Sequence, residues 1–565
     1  MDVPCTRSPS LLPHGLRRTP VNDTTHSPTD PPTQPPSEPL APEQPPVLTK
    51  DERLKIAVLL GSILLVALCS ITYELIIGTI SSYLLGNSVF HFSLTIGLFM
   101  SAMGVGSYLS KFIKHNLLEK FFWVELLVGV FGGISSALLF GVFAFSKMFQ
   151  PVMWGLTLTI GMLVGLEIPL LTRYIRKYAT LNVALANVLS WDYIGALLGS
   201  LAFPLLLLPA LGLLNSAAVV GMINVFVACT GLYMFRHDLK HKGRFVVGAL
   251  GAIALLVGLF FSSGDYERFL DKRLFQDPVV YTEQTVYQKL TLTGWKGKDF
   301  RLYINGAIQF SSMDEYRYHE ALVHVPMGVL KDPKKVLILG GGDGLVVRQM
   351  KHYPSVERIV MVDLDPRMTK MASTHPTMRR LNENAFEDPR LEVVNADAMG
   401  YLDKNRQEQF DAIIIDLPDP NNESLSKLYS VAFYRLVKQH LTPQGVMVSQ
   451  STASFFAPNA FWSIHKTIEK AFCPEQGCAP DAPHVLAYHT WIPSFGDWGF
   501  NMARKMPVDP KDIDITIETQ YVENQMLAGM FYFPRDMAER DVKINRLIEP
   551  VLLNYYIKDW HSHNQ

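Results

Sequence analysis

The chain is 565 residues long, 48% hydrophobic and 18% charged, with a formal net charge of −1. Such a length holds two or three domains with substantial cores, and without a basic excess nucleic acid is not an expected partner. These averages join two unlike halves, which become distinct when the elements are taken in chain order.

Residues 1–50 hold thirteen prolines among scattered Ser and Thr. Too little apolar surface is present to offset ordering entropy, so the segment reads as a disordered Pro-rich tail. It contains no secretory signal with an apolar stretch near the N-terminus. Between residues 51 and 263, apolar runs near 55–78, 89–110, 121–146, 151–172, 187–210, 214–235 and 245–263 follow one another. Each approaches the ~20 residues that cross a ~30 Å hydrocarbon core. They predict a multi-pass α-helical membrane domain of about seven helices, in the cell (inner) membrane, with the lipid bilayer as partner.

Positive charge is uneven among the loops. Lys111, Lys114 and Lys120 follow the second run, Arg173, Arg176 and Lys177 the fourth, and Arg236, Lys240, Lys242 and Arg244 the sixth. The alternate loops hold little beyond Lys147, so the positive-inside rule places the N-terminus and the basic loops in the cytoplasm. An odd number of spans then leaves the C-terminal half on the other side, and a re-entrant or miscounted run would return it to the cytoplasm, so the side of that half stays open. Glu74, Glu167 and Asp192 fall within or beside the spans, where ionisable groups are costly and suggest function. A path for an organic cation and hydrogen bonds between helices are both open readings.

Beyond Ser263 the runs shorten. "VVYTEQTVYQKLTLTG" and "FRLYINGAIQFSS" alternate with period two around an Asn-Gly turn, predicting a small β subdomain over 279–330. Over 331–540 the strands "KVLILGG", "RIVMVDLD", "LEVVNAD", "FDAIIIDLP" and "GVMVSQS" alternate with helical stretches, the pattern of an α/β doubly wound parallel sheet. Residues 541–565 read as a C-terminal extension. Ligands of such sheets lie at the carboxyl ends of the strands. There the chain places Gly340, Gly342 and Asp343, then Asp363, then Asp397 and Ala398, then Asp416 and Asp419. Asp363 stands about twenty residues beyond the glycines, the spacing of a carboxylate on ribose hydroxyls. So many acids repel a pyrophosphate and suit a ligand that joins adenosine to positive charge, a sulfonium nucleoside, or a polyamine.

The motifs "VYQKL", "DEYRYHEALVHVP", "VLILGGGDG", "MVDLD", "NADAM", "IIIDLPDP", "VSQS" and "PSFGDWGF" occur in order over 280–505. With them this segment resembles the spermidine synthases, the polyamine aminopropyltransferases, and the spans ahead of it look like the membrane-bound branch of that family. The resemblance implies a Rossmann-like, methyltransferase-type fold. It implies transfer of the aminopropyl group of decarboxylated S-adenosylmethionine to putrescine, giving spermidine and methylthioadenosine. Residue by residue, Gln288 matches a thioadenosine contact, Asp363 the acid on the ribose, and Asp397 with Ala398 the adenine contacts, beside Gly340 and Gly342 of the donor loop. His319, Asp343 and Asp419 match contacts to the amine end, Tyr318 and Gln450 line the same cleft, and Asp416 matches the catalytic proton acceptor. The sulfonium is already a good leaving group, so no metal and no cofactor is implied; the donor is a co-substrate. A homo-oligomer stays open.

The family pattern D-S-[ST]-D-P-x-G-P is replaced here by "DLPDPNNES", which keeps both acids and loses the small hydroxyls. The wall that gauges the acceptor's length is therefore changed. Two other readings stand beside transfer: a membrane polyamine transport or sensing protein with a binding-only soluble half, and a methyltransferase using intact S-adenosylmethionine. Asp343 argues against the latter, because it would repel that donor's carboxylate. Cys473 and Cys478 are near enough to bridge in an oxidising compartment, or to remain two thiols.

Overall fold

The computed structural model describes residues 49–563 apart from 86–87, 179, 237–240, 276, 474–478 and 480. Most of the predicted tail, Lys240 and Cys478 lie outside the described residues. Cys473 is disulfide-bonded.

Helices α1 (Lys50–Leu85), α2 (Ser88–Leu109), α3 (Leu117–Phe145), α4 (Phe149–Ile175), α5 (Leu181–Ala202), α6 (Leu208–Met234) and α7 (Lys242–Leu274) make up the first half. Among the described residues six helical runs, not seven, are long and apolar enough to cross a bilayer, because the predicted runs 187–210 and 214–235 fall in one stretch of 54 residues, Leu181–Met234. At ~1.5 Å per residue that stretch is ~80 Å long, more than twice a ~30 Å core. Gly212 breaks it, at φ 70° and ψ −175°, a conformation that a residue without Cβ adopts freely.

The chain reverses at this break. α5 runs alongside α1 in the same direction, with Gly195 against Leu64 and Ala67 and Gly199 against Leu68 and Ile71. α6 runs against α3, with Gly231 beside Phe122, Gly221 beside Gly129 and Gly133, and Ser136 Oγ donating to Leu213 O at 3.0 Å. α1 and α3 are themselves parallel: Leu59 and Ile63 share a cluster with Leu118 and Phe121, and Ile76 and Ile80 share another with Val128 and Leu139. The basic loops gather at one end. There Arg173 donates to Ile113 O at 2.9 Å and Ser110 O at 2.8 Å, satisfying carbonyls past the end of α2, and His241 Nδ1 meets Glu119 at 3.0 Å.

α7 continues past the expected boundary at 263 to Leu274. Its last turn is fixed to the second half, since Lys289 Nζ donates to Asp271 at 3.2 Å and Phe275 packs on Tyr303 with ring centres 4.8 Å apart. Then come β1 (Val279–Gln284), β2 (Lys289–Trp295), β3 (Asp299–Ile304) and β4 (Ala307–Ser311), an antiparallel sheet in chain order. α8 (Glu315–Met327) lies within the segment read as the small subdomain, yet its Leu322 and Val325 pack with Val336, Ile338 and Phe500 of the main core.

The main sheet contains β5 (Lys335–Gly340), β6 (Arg358–Asp363), β7 (Leu391–Asn395), β8 (Phe410–Asp416), β9 (Leu441–Ala453), β10 (Val485–Ile492) and β11 (Gly496–Arg504), in the order β10-β11-β9-β8-β5-β6-β7. The five strands expected from sequence pair in parallel. β10 and β11 add an antiparallel hairpin at one edge, so the sheet is mixed rather than wholly parallel. Their short connection, too short for a crossover helix, permits no other pairing. β5 and β8 are unbroken runs of Val, Leu and Ile because both faces are covered, Val336 and Ile414 on one side and Leu337 and Ile413 on the other.

Candidate active site

Strand order changes direction between β5 and β8, and a cavity of about 430 Å³ opens there at the carboxyl ends of the strands. It is lined by Gln288, Tyr318, His319, Gly340, Gly342, Asp343, Asp363, Asp397, Ala398, Asp416, Asp419 and Gln450, so each site residue named from sequence faces one space.

The loop after β5 makes that crowding feasible. Gly340 has φ 86° and stands opposite Asp416 in register. A Cβ on it would collide with Asp416 O, and one on Gly342 with the Asp363 carboxylate. Asp343 turns its Oδ1 back to accept the Leu345 N–H at 2.9 Å, at the start of a short helix, α9 (Leu345–Met350). Burial pushes Asp343, Asp363 and Asp419 up to about 6, against the downward pull of His319 on the first and of hydrogen bonds on the other two. Asp416 is raised as well, again by burial, with His319 and Tyr318 opposing. These carboxylates are held in poorly solvated space where a cation would replace lost water.

At the β6 end of the cavity, Asp363 Oδ1 accepts from Asp365 N at 2.8 Å. Asp365 caps α10 (Pro366–Thr374) and accepts from Thr285 Oγ1 at 2.8 Å, which ties the β1–β2 turn bearing Gln288 to the cleft. Asp397 caps the helix α11 (Ala398–Lys404), taking Gly400 N at 2.8 Å and Lys427 Nζ at 3.0 Å. Burial alone would raise Asp397, but these two bonds outweigh it and hold the carboxyl below its usual range.

At the other end Tyr318 Oη donates to Asp416 Oδ1 at 2.6 Å. Phe495 and Trp498 stand near the Tyr318 ring and line the cavity with it. Asp419 accepts from Thr452 Oγ1 at 3.0 Å, Tyr556 Oη at 3.1 Å and Gln450 Nε2 at 3.4 Å. Gln450 also donates to Tyr429 Oη at 2.6 Å and accepts Thr452 N at 3.0 Å, so it shapes the 417–419 turn from beneath. Thr452 has φ 64°, strained for a β-branched residue, and is fixed by its Oγ1 bond to Asp419 and its N–H bond to Gln450 Oε1. His319 Nδ1 donates to Glu315 Oε2 at 2.7 Å, and Glu315 in turn takes Arg348 at 2.9 Å. Burial would lower His319, but Glu315 and the charges of Asp343 and Asp416 raise it above its ordinary value.

Sequence reading missed Glu315, Arg348, Thr452, Lys427 and Tyr556. The i, i+4 spacing of Glu315 and His319 on one helix was the legible part of that relay. Nothing local marked Tyr556, which comes from the C-terminal helix α12 (Leu552–His563).

A family model for the spermine/spermidine synthase domain matches residues 315–503. Polyamine aminopropyltransferase 2 of Ralstonia nicotianae is 42% identical over 516 residues, 90% of this chain and 98% of that one. A polyamine aminopropyltransferase of Oceanobacillus iheyensis is 38% identical over 507 residues, 88% of this chain and 96% of its own. A solved spermidine synthase from Thermotoga maritima is 27% identical, covering 45% of this chain and 84% of that one, with a TM-score of 0.40.

Proposed function

The chain belongs to the polyamine aminopropyltransferase family, and from that membership we propose that it moves the aminopropyl group of decarboxylated S-adenosylmethionine to putrescine, forming spermidine and methylthioadenosine. The observation that carries this reading is the pairing of Asp416 with Tyr318 at 2.6 Å, beside the glycine loop and opposite the ribose-side acid.

The amine nitrogen attacks the aminopropyl methylene bound to sulfur, the bond between that carbon and sulfur breaks, and its electron pair neutralises the sulfonium. The proton lost by nitrogen passes to Asp416, directly or through water. Tyr318 orients that carboxylate, and Asp419, aimed by Thr452 and Tyr556, draws the distant ammonium of the acceptor. Asp343 attracts the ammonium of the decarboxylated donor, where intact S-adenosylmethionine would present a repelled carboxylate. Holding both reactants in line supplies much of the acceleration, and the sulfonium sulfur departs as the neutral thioether of methylthioadenosine, a good leaving group in its own right.

The helical half fits a multi-pass domain of the cell membrane, with the cleft on the side opposite the basic loops. Purified protein given the decarboxylated donor and a panel of diamines is expected to release methylthioadenosine, most rapidly with putrescine. Binding of amines with no release from any of them would leave a binding-only protein instead.

A further inference from the structure

The part of α7 beyond Ser263 is held by the helical bundle on one side and grips the small β sheet on the other. Tyr266 Oη donates to Ala137 O of α3 at 2.8 Å, and the Phe269 ring stacks on Phe145 with centres 5.6 Å apart. A Cβ on Gly141 of α3 would collide with the Tyr266 hydroxyl, so the two helices meet closely there. These contacts leave the end of α7 little freedom to turn. Asp271, 4% exposed, accepts Lys289 Nζ at 3.2 Å. Glu267, one turn earlier, attracts the same ammonium.

Lys289 opens β2 and directly follows Gln288. Its backbone is bound on both sides by one residue of the next hairpin: Asn305 Oδ1 accepts Lys289 N at 2.9 Å, and Asn305 N donates to Lys289 O at 2.9 Å. Gln288 and Asn305 both line the cavity, with Ile304 and Ala307 beside Asn305. The Gln288 turn is thus held from two directions. Within the cleft Thr285 Oγ1 accepts Gln288 N at 3.0 Å and donates to Asp365, while away from it Lys289 is drawn to Asp271. Fixing a binding turn before the ligand arrives removes an ordering cost that would otherwise reduce affinity. Because the carboxylate is buried and Lys289 is 24% exposed, the pair is worth more than a bridge on open surface.

We propose that Asp271, on the last helix of the helical half, is a positioning residue for the donor, a role that rests on Gln288 being a thioadenosine contact. Through Lys289 it sets the Gln288 turn and the Asn305 hairpin against the cavity, so the helical bundle contributes to donor binding. The test titrates the full chain in lipid nanodiscs with methylthioadenosine by calorimetry. Asp271→Asn leaves Lys289 free to reach water. It is expected to weaken methylthioadenosine about fivefold and to raise the donor's KM by a similar factor. The kcat and the KM for putrescine should stay within about twofold, as for sites that share no partner. Lys289→Met should cause the same loss, and the double variant no more than either alone, since both cut one link. Lys289→Arg keeps the charge and should retain the affinity that Lys289→Met loses. Should Lys289→Met, which strands a buried carboxylate, fail to fold, Asp271→Asn decides the matter. Unchanged methylthioadenosine affinity in Asp271→Asn, or an equal rise in both KM values, would overturn the positioning role. A parent that binds no methylthioadenosine would overturn the reading of the cleft and the positioning role together.

Discussion

Asp416 is fixed by one tyrosine and faced by one histidine, and both contacts favour its ionised form against a burial that opposes it. As the proposed proton acceptor it predicts that Asp416→Asn lowers kcat by about 100- to 10,000-fold, with methylthioadenosine affinity unchanged by calorimetry. Asp343 makes a different prediction. Asp343→Asn should weaken decarboxylated S-adenosylmethionine roughly tenfold, since an ammonium loses its counter-charge, while methylthioadenosine stays within about twofold. Equal losses for the two ligands would exclude the role. The values near 6 for Asp343, Asp363 and Asp419 set a pH dependence. Below about pH 6 these groups take up protons and lose their hold on cations, so kcat/KM is expected to fall there and level above. Stability runs the other way. A carboxyl raised by folding contributes stability that is complete below its unfolded value near 4 and is lost as pH rises through about 6. Asp363→Asn should therefore raise the thermal midpoint at pH 8 while abolishing donor binding. The acids were legible in the sequence because strand ends in such sheets meet at one place. Arg348 and Thr452 were not, since each acts through a partner that only the fold brings near.

Among the elements, α12 gives the Asp419 side of the cavity a wall residue, Tyr556, that the 417–422 stretch alone does not supply. Its Asp559 also accepts Asn459 N at 2.8 Å and Ala460 N at 3.1 Å, capping the helix that packs behind β9 and β11. A segment read as an extension is thus part of the cleft, and its link to Asp419 spans 137 residues of chain. Tyr556→Phe leaves the packing in place and removes one donor to Asp419. It should raise KM for putrescine severalfold, with the donor's KM unchanged, and narrow the preference for putrescine over longer diamines in the same assay. α8 likewise belongs to the main core although it follows the small sheet, because its apolar face finds β5 and β11 rather than β4. Period-two and helical patterns revealed these elements; which neighbour each would choose depended on long-range packing that no local pattern carries.

For the whole molecule, seven apolar runs were visible in the sequence, and among the described residues they fall in six continuous helical runs because Leu181–Met234, which holds α5 and α6, bends back on itself at Gly212. The edge hairpin of the main sheet escaped notice, its strands lacking a glycine-and-acid terminus to advertise them. The opposed directions of α5 and α6 leave the described chain traversing the helical bundle an odd number of times. Reporter fusions at the two ends are accordingly expected to give opposite results: a cytoplasm-dependent fluorescent protein bright at the N-terminus and dark at the C-terminus. Brightness at both ends would mean that one run does not cross. The Gly212 reversal has an electrical corollary. If the cleft faces outward, the proposed product, trivalent spermidine, would be released on the positive side of the membrane potential. It would then be drawn inward by ~7 kcal/mol for every 100 mV, at ~2.3 kcal/mol per charge. One bend in a helix would set the direction of that current.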